Sequence, residues 1–358
     1  MQNLIFYFIT PIISWLTILA LTPTLRAFAI RINFMDKPNH RKVHTQPIPP
    51  IGGIIVFLSS TLALLFNTEL LKELQEIYML ALGAFVLLVM GALDDKFDIK
   101  AKYKFGIQIF LATMVYFSGI KIDSLYGVFG IFKLTEPISF ILTVVIITGA
   151  VNAFNLTDGI DGLAAGLAII GLTAYTIIAF TNNNISLGMI FLSIIGALVG
   201  FLKFNLSKKQ KIFMGDAGSL FLGFVLVVSG IILIQNTNST PIQTQTLSIV
   251  IGVLILTILD SLRVYRSRIK KGYSPFRADK THLHHLMLTF NIKHFTASFI
   301  IVAFSLVFIL FMFLSSSFLS ITIMLLSLLI LFIIITGIIS LNGEVSQWRE
   351  KIKRIENI

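Results

Sequence analysis

Four short polar runs interrupt an otherwise apolar chain, and each has residue types suited to chemistry on phosphates. Asp94 and Asp95, in G-A-L-D-D-K, are adjacent carboxylates. Holding both ionised has a cost unless a cation or proton is shared. Lys100, Lys102 and Lys104 follow and can neutralise phosphate. In N-A-F-N-L-T-D-G-I-D-G-L, Asn152, Asn155, Asp158 and Asp161 recur at three-residue spacing, so on a helix they share one side. Gly159 and Gly162 let a backbone approach a ligand closely. An EF-hand is excluded, because Ile160 takes the third loop position and the closing Glu is missing. Asp216 stands between Gly215 and Gly218 in F-M-G-D-A-G-S-L. A lone carboxylate there suits Mg²⁺, which takes one or two protein ligands and fills the rest with water and phosphate oxygens. His282, His284 and His285 follow Arg277 and Lys280. There is no Cys and no H-E-x-x-H, so zinc has no support, and imidazoles beside Arg and Lys suit a diphosphate.

Each run has a structural alternative. The Asp pair could be a solvated helix end, Asp216 an N-cap and the histidine run a basic surface loop. The amide and carboxylate run joins two apolar stretches almost without spacer, and polar groups at a membrane boundary are functional by default. A fifth cluster, Asp36 to Thr45 followed by P-I-P-P-I-G-G, reads equally as a basic loop. G-x-x-x-x-G-K-[ST] and G-x-G-x-x-G are both absent, which leaves ATP-driven and Rossmann chemistry without support.

The elements that must position these residues are membrane spans. The chain is 56% hydrophobic and 13% charged, against about 25% charged in a soluble domain. Apolar runs lie near 4–25, 51–67, 77–93, 104–118, 138–154, 163–181, 186–202, 219–234, 246–265, 295–314 and 318–341. The expectation is an all-α integral membrane protein of about eleven transmembrane helices, one multi-pass unit over 1–358. Met1 to Leu25 carries no Lys or Arg, which favours a retained first span with its N-terminus outside. Alternating spans then put all of the 28 basic residues inside except Lys72, Lys121 and Lys133, as the positive-inside rule predicts, with the C-terminus cytosolic. Every acid in the inside loops is Asp, whose short reach suits a fixed metal or phosphate site. The net charge of +11 sits in short loops, so an anionic leaflet and anionic substrates fit it better than nucleic acid.

Taken together, the acidic pair, N-x-x-N-x-x-D-G-x-D-G-L, G-D-x-G-S and the late H-x-H-H resemble, in order and over nearly the whole chain, the polyprenyl-phosphate N-acetylhexosamine-1-phosphate transferase family. The resemblance implies attack of a lipid phosphate on the sugar-bearing β-phosphate of a UDP-sugar, giving a lipid-diphosphate sugar and UMP. Within the family, the H-x-H-H ending and an eleventh span look like the branch using UDP-N-acetylglucosamine and undecaprenyl phosphate. The phospho-N-acetylmuramoyl-pentapeptide branch is the alternative. By motif, Asp216 and Asn155 would hold Mg²⁺, with Mn²⁺ a substitute. Asp94 and Asp95 would be catalytic. Asn152, Asp158 and Asp161 would lie at the nucleotide and substrate, Lys102 and Lys104 at phosphate, and Arg277 and the histidines at the donor diphosphate or sugar. Pro50 and Ser261 depart mildly from the family pattern. The implied location is the cytoplasmic membrane with the site facing the cytosol; a homodimer is left open. The rival from another class, a secondary transporter of an anionic solute, predicts charges near mid-span, whereas these acids cluster at span ends.

Overall fold

The computed structural model describes residues 2–36, 47–66, 74–237, 240–275 and 281–356. The chain folds as α1 (Gln2–Arg31), α2 (Gly52–Leu65), α3 (Leu74–Phe97), α4 (Ala101–Phe117), a hairpin β1 (Ser124–Val128) and β2 (Ile131–Lys133), α5 (Glu136–Asn155), α6 (Leu163–Thr181), α7 (Ile185–Asn205), α8 (Gly215–Gln235), α9 (Thr240–Lys270), a short α10 (Leu283–Leu288), α11 (His294–Ser315) and α12 (Ile321–Glu356). Nine helices among the described residues are long and apolar enough to cross a bilayer, and the protein is an all-α integral membrane protein. The other two long apolar helices, α2 and α4, have 14 and 17 residues. At 1.5 Å per residue they reach about 21 and 26 Å, short of a ~30 Å hydrocarbon core.

The apolar sequences explain why these segments are helical. With no water in the bilayer core, a helix satisfies every backbone group within its own segment. Loop chemistry then marks the turns. Phe129 and Gly130 both take positive φ at the hairpin tip, the geometry that matches the right-handed strand twist. The amide of Phe129 donates to Thr322 Oγ1 at 2.8 Å, which ties the hairpin to α12.

α8 is the hub. All its residues from Ala217 to Ile234 are buried, and it packs against α2, α3 and α5. Its first turn meets two other helices at backbone distance. A Cβ on Gly91 of α3 would lie 2.4 Å from the Ala217 Cα, and one on Gly53 of α2 would lie 2.1 Å from the Gly218 nitrogen. Small residues let membrane helices approach this closely. The P-I-P-P-I-G-G segment completes the contact by backbone pairing: Phe213 N donates to Pro49 O, Gly52 N to Phe213 O and Gly53 N to Met214 O, at 2.8–3.0 Å. This segment therefore docks the start of α8, a role that its composition does not reveal.

Gly91→Ala should lower the thermal stability of the detergent-solubilised protein by about 1–3 kcal/mol, the usual cost of overpacking. Gly106→Ala is the control, because a Cβ there meets nothing within 4 Å. Equal melting temperatures for the two variants would show that the α3–α8 contact is not tight.

Candidate active site

The site is built on the start of α8. Gly215 has φ +74°, and the chain turns there with no room for a side chain, since a Cβ would lie 2.5 Å from Asp95 Oδ2. The first-turn amides, which have no partner within the helix, point at α3, where Asp95 Oδ1 accepts from Asp216 N at 3.0 Å and Oδ2 from Ala217 N at 3.2 Å. Asp95 thus caps α8 across the helix interface, and a negative charge at a helix N-terminus is stabilising. The cap is therefore not Asp216. Its carboxylate is free to face the cavity, with its side chain 35% exposed.

Around Asp216 the partners are ordered. Asn155 Nδ2, from the last turn of α5, donates to Asp216 Oδ1 at 3.0 Å and to Ser219 Oγ at 2.9 Å. Lys104 Nζ, from the first turn of α4, lies 3.4 Å from Asp216 Oδ2 and pairs closely with Asp94 Oδ2. Asp94 Oδ1 also accepts from Ile99 N at 2.8 Å, so its side chain is 5% exposed and held from two sides.

The N-x-x-N run divides. α5 ends at Asn155, so the expected single helical side does not extend to Asp158 and Asp161, which lie in the turn before α6. Asn152 instead donates to the Tyr265 hydroxyl at 2.6 Å, on α9. The turn is held by Asn205, whose Oδ1 accepts from Gly162 N at 2.7 Å and whose Nδ2 donates to Ile212 O at 3.0 Å. Gly162 has φ +81°, where a side chain would be strained. Asp161 pairs with Lys211 at 2.5 Å. The carboxylate of Asp158 accepts no hydrogen bond from any described residue. Desolvation pushes its pKa up to about 8, and the charges of Asp216 and Asp161 add to the rise.

One cavity of about 940 Å³ opens at this end of the bundle, and Asn152 and Asn155 stand behind its lining. It takes in the C-terminal ends of α1, α3 and α7 and the start of α4, α8 and α11. Asp94, Asp95, Lys104, Asp158, Asp161, Asp216 and His285 face it. Lys102 lies off it, exposed, with its ammonium 4.9 Å from the Tyr103 ring. His282 and His284 are buried beneath it. Arg277 lies outside the described residues. Lys211, His294 and Asn205 also line the cavity and were not singled out from sequence. Asn205 and Lys211 had a signal only in their place on the two sides of one inside loop; for His294 there was none.

The lining is acidic, with seven aspartates against three lysines. Among the described residues no three His, Asp or Glu side chains form a closed metal cage. The carboxylate oxygens of Asp158 and Asp216, with the Asn155 amide on the latter, are hard donors that match an oxygen-seeking cation and offer nothing for a soft one.

Comparison with known proteins places the chain in a family. Residues 77–234 match the family described as Glycosyl transferase family 4. A probable undecaprenyl-phosphate N-acetylglucosaminyl 1-phosphate transferase of Bacillus subtilis (strain 168) is 35% identical over 290 residues, covering 79% of this chain and 77% of that protein. Undecaprenyl-phosphate alpha-N-acetylglucosaminyl 1-phosphate transferases of Yersinia pestis and Escherichia coli (strain K12) are 34% and 33% identical over 270 residues, covering 74% of this chain and 72% and 71% of theirs. With four motifs on one cavity and relatives of this identity along most of its length, the chain belongs to glycosyl transferase family 4, among the undecaprenyl-phosphate N-acetylglucosaminyl 1-phosphate transferases.

Proposed function

We propose that the protein transfers N-acetylglucosamine 1-phosphate from UDP-N-acetylglucosamine to undecaprenyl phosphate, in a Mg²⁺-dependent reaction at the cytosolic face of the cytoplasmic membrane. The observation that carries this reading is the meeting of Asp94, Lys104, Asp158, Asp216 and His285, from segments spread over almost 200 residues, on one cavity. The relatives' names supply the donor and acceptor classes.

The chemistry follows from charge. One oxygen of the lipid phosphate attacks the β-phosphorus, the bond from that phosphorus to the bridging oxygen breaks, and UMP leaves with the electron pair. A phosphomonoester has its second pKa near roughly 6, so the nucleophile is already largely ionised and needs orientation more than a strong base. Asp94, held by Lys104 and the Ile99 amide, orients it and takes any residual proton. Asp95 keeps the α8 turn in place. Lys104 and His285 stabilise charge on the transferring phosphoryl group. Two anionic substrates would be repelled by seven aspartates, and this excess is what argues for a cation. Asp216, with Asn155 and Asp158, would hold Mg²⁺, or Mn²⁺ on the same donors, and the ion would supply that neutralisation. Asn152, on α5 and held by the Tyr265 hydroxyl, would lie toward the nucleotide.

The topology reading has its own support. The C-terminal ends of α1, α3, α5 and α7 and the start of α2, α4, α6 and α8 come to the same end of the bundle, as alternating crossings require. The short α2 and α4 share that alternation, so eleven crossings remain the reading, since a bilayer can thin locally around a short apolar helix.

Four measurements test these statements. Purified protein with UDP-N-acetylglucosamine, undecaprenyl phosphate and Mg²⁺ should release UMP. Asp216→Asn should cut turnover by about 100-fold or more and weaken the Mg²⁺ response, without unfolding, because Asp95 still caps α8. Native turnover with native Mg²⁺ response in that variant removes Asp216 from the metal site. In a single turnover of donor chiral at the β-phosphorus, direct attack predicts inversion. Retention, or a UMP burst without lipid, makes an aspartate the nucleophile. Finally, the chain has no cysteine, so Ser207→Cys should label only from the cytosol and Lys133→Cys only from outside. Labelling of both from one side overturns the topology.

A further inference from the structure

Asp260 lies on α9, away from the cavity lining, and its carboxyl group is buried, the residue being only 3% exposed. A buried carboxylate is costly unless paired and fully hydrogen-bonded. Its partners all belong to one junction. Arg263 Nη2 donates to Oδ1 at 2.7 Å, His282 Nδ1 sits 2.9 Å from Oδ2, and Leu283 N donates to both oxygens at 3.1 Å. The same Arg263 nitrogen donates to Thr281 O at 2.6 Å. Residues 281–283, which lead into α10, are thereby clamped to α9 through a carbonyl, an imidazole and an amide. α10 has six residues, too few to hold a helical position by itself.

The clamp leads to the cavity through three adjacent imidazoles, the first two parallel and the last tilted by 47°. His282 and His284 are parallel within 7° at 6.0 Å between centroids, and His284 lies 4.2 Å from His285. His284 is 4% exposed, and burial pushes its pKa down to about 3, so it serves as a neutral packing ring. It fits only because residue 159 is glycine: a Cβ there would lie 2.1 Å from His284 Nε2. His285, next along, faces the cavity.

We propose that Asp260 is a positioning residue of the donor site, acting through His282 and α10 to hold His285 against the turn that carries Asp158 and Asp161. The inference rests on the function proposed above. Donor affinity then depends on a carboxylate that touches no substrate. The alternative is that Asp260 is a helix cap with no bearing on His285, and a double-mutant cycle separates the two.

UMP release by the full-length protein in detergent, with Mg²⁺, UDP-N-acetylglucosamine and undecaprenyl phosphate, is measured for Asp260→Asn, His285→Ala and the double variant. Asp260→Asn should raise the donor KM about tenfold, and the double variant should be no worse than His285→Ala, because coupled residues are not additive. The lipid KM should stay within about twofold, since only the donor side is displaced. Losses that multiply in the double variant overturn the proposal. Should Asp260→Asn fail to fold, His282 decides. His282→Asn retains an N–H in the place of Nδ1 and should recover most of the donor affinity lost in His282→Leu; equal losses in both overturn the proposal as well. Wild-type protein that releases no UMP overturns the functional reading itself, a result distinct from multiplying losses in an active enzyme.

Discussion

The carboxylate of Asp95, shared between the amides of Asp216 and Ala217, meets a need that the rest of the structure creates. α8 is buried along its length, so its first amides have little water to turn to, and unpaired amides in that setting cost several kcal/mol each, on the order seen for transfer out of water. A side chain from another helix has to supply the acceptor. It can do so only if the helices approach at backbone distance, which Gly91 and Gly53 allow. Cap and close packing are thus one constraint. The consequence for chemistry is that Asp216, relieved of capping, points its carboxylate into the cavity.

The second organising feature is the use of polar side chains as cross-links between loops rather than as isolated ligands. Asn205 joins the turn at Gly162 to the segment before α8. Lys211 joins that same segment to Asp161, and Asp260 joins α9 to α10. Each bond ties segments that are distant in sequence or separated by a loop, and each sits at the cavity end of the bundle. Lipid-facing helices cannot use the hydrophobic effect to select one arrangement over another, so packing of small residues and these polar ties carry the specificity. A cavity lined by short, tied aspartates keeps its charges at fixed separations, which is what a preorganised electrostatic site requires.

Much of this was legible in the sequence, and the reasons are physical. The bilayer forces helices of bounded length, so apolar runs give element type and approximate ends directly. Four motifs brought to the same cavity were legible too, because alternation of spans assigns each loop a side. The expected span lengths were less secure: α2 and α4 are shorter than a full crossing, and the hairpin at 124–133, with its positive-φ tip, had no sequence signal strong enough to find it.

Residue types, their order and the segments that can be helical are properties that one sequence determines, since they depend on composition and on spacing along the chain. Which of two adjacent aspartates caps a helix and which meets Lys104 is not such a property. Asp95 and Asp216 are 121 residues apart, and Lys104 and Asp216 are 112 apart. Likewise Asn152 and Asn155 look equivalent at three-residue spacing, yet one meets Tyr265 and the other Asp216. His282, His284 and His285 look like one block, yet only His285 reaches the cavity. Tertiary packing decided these assignments, because the direction of a side chain at a helix end is set by the neighbour it meets across the bundle, and no pattern within a single segment carries that information.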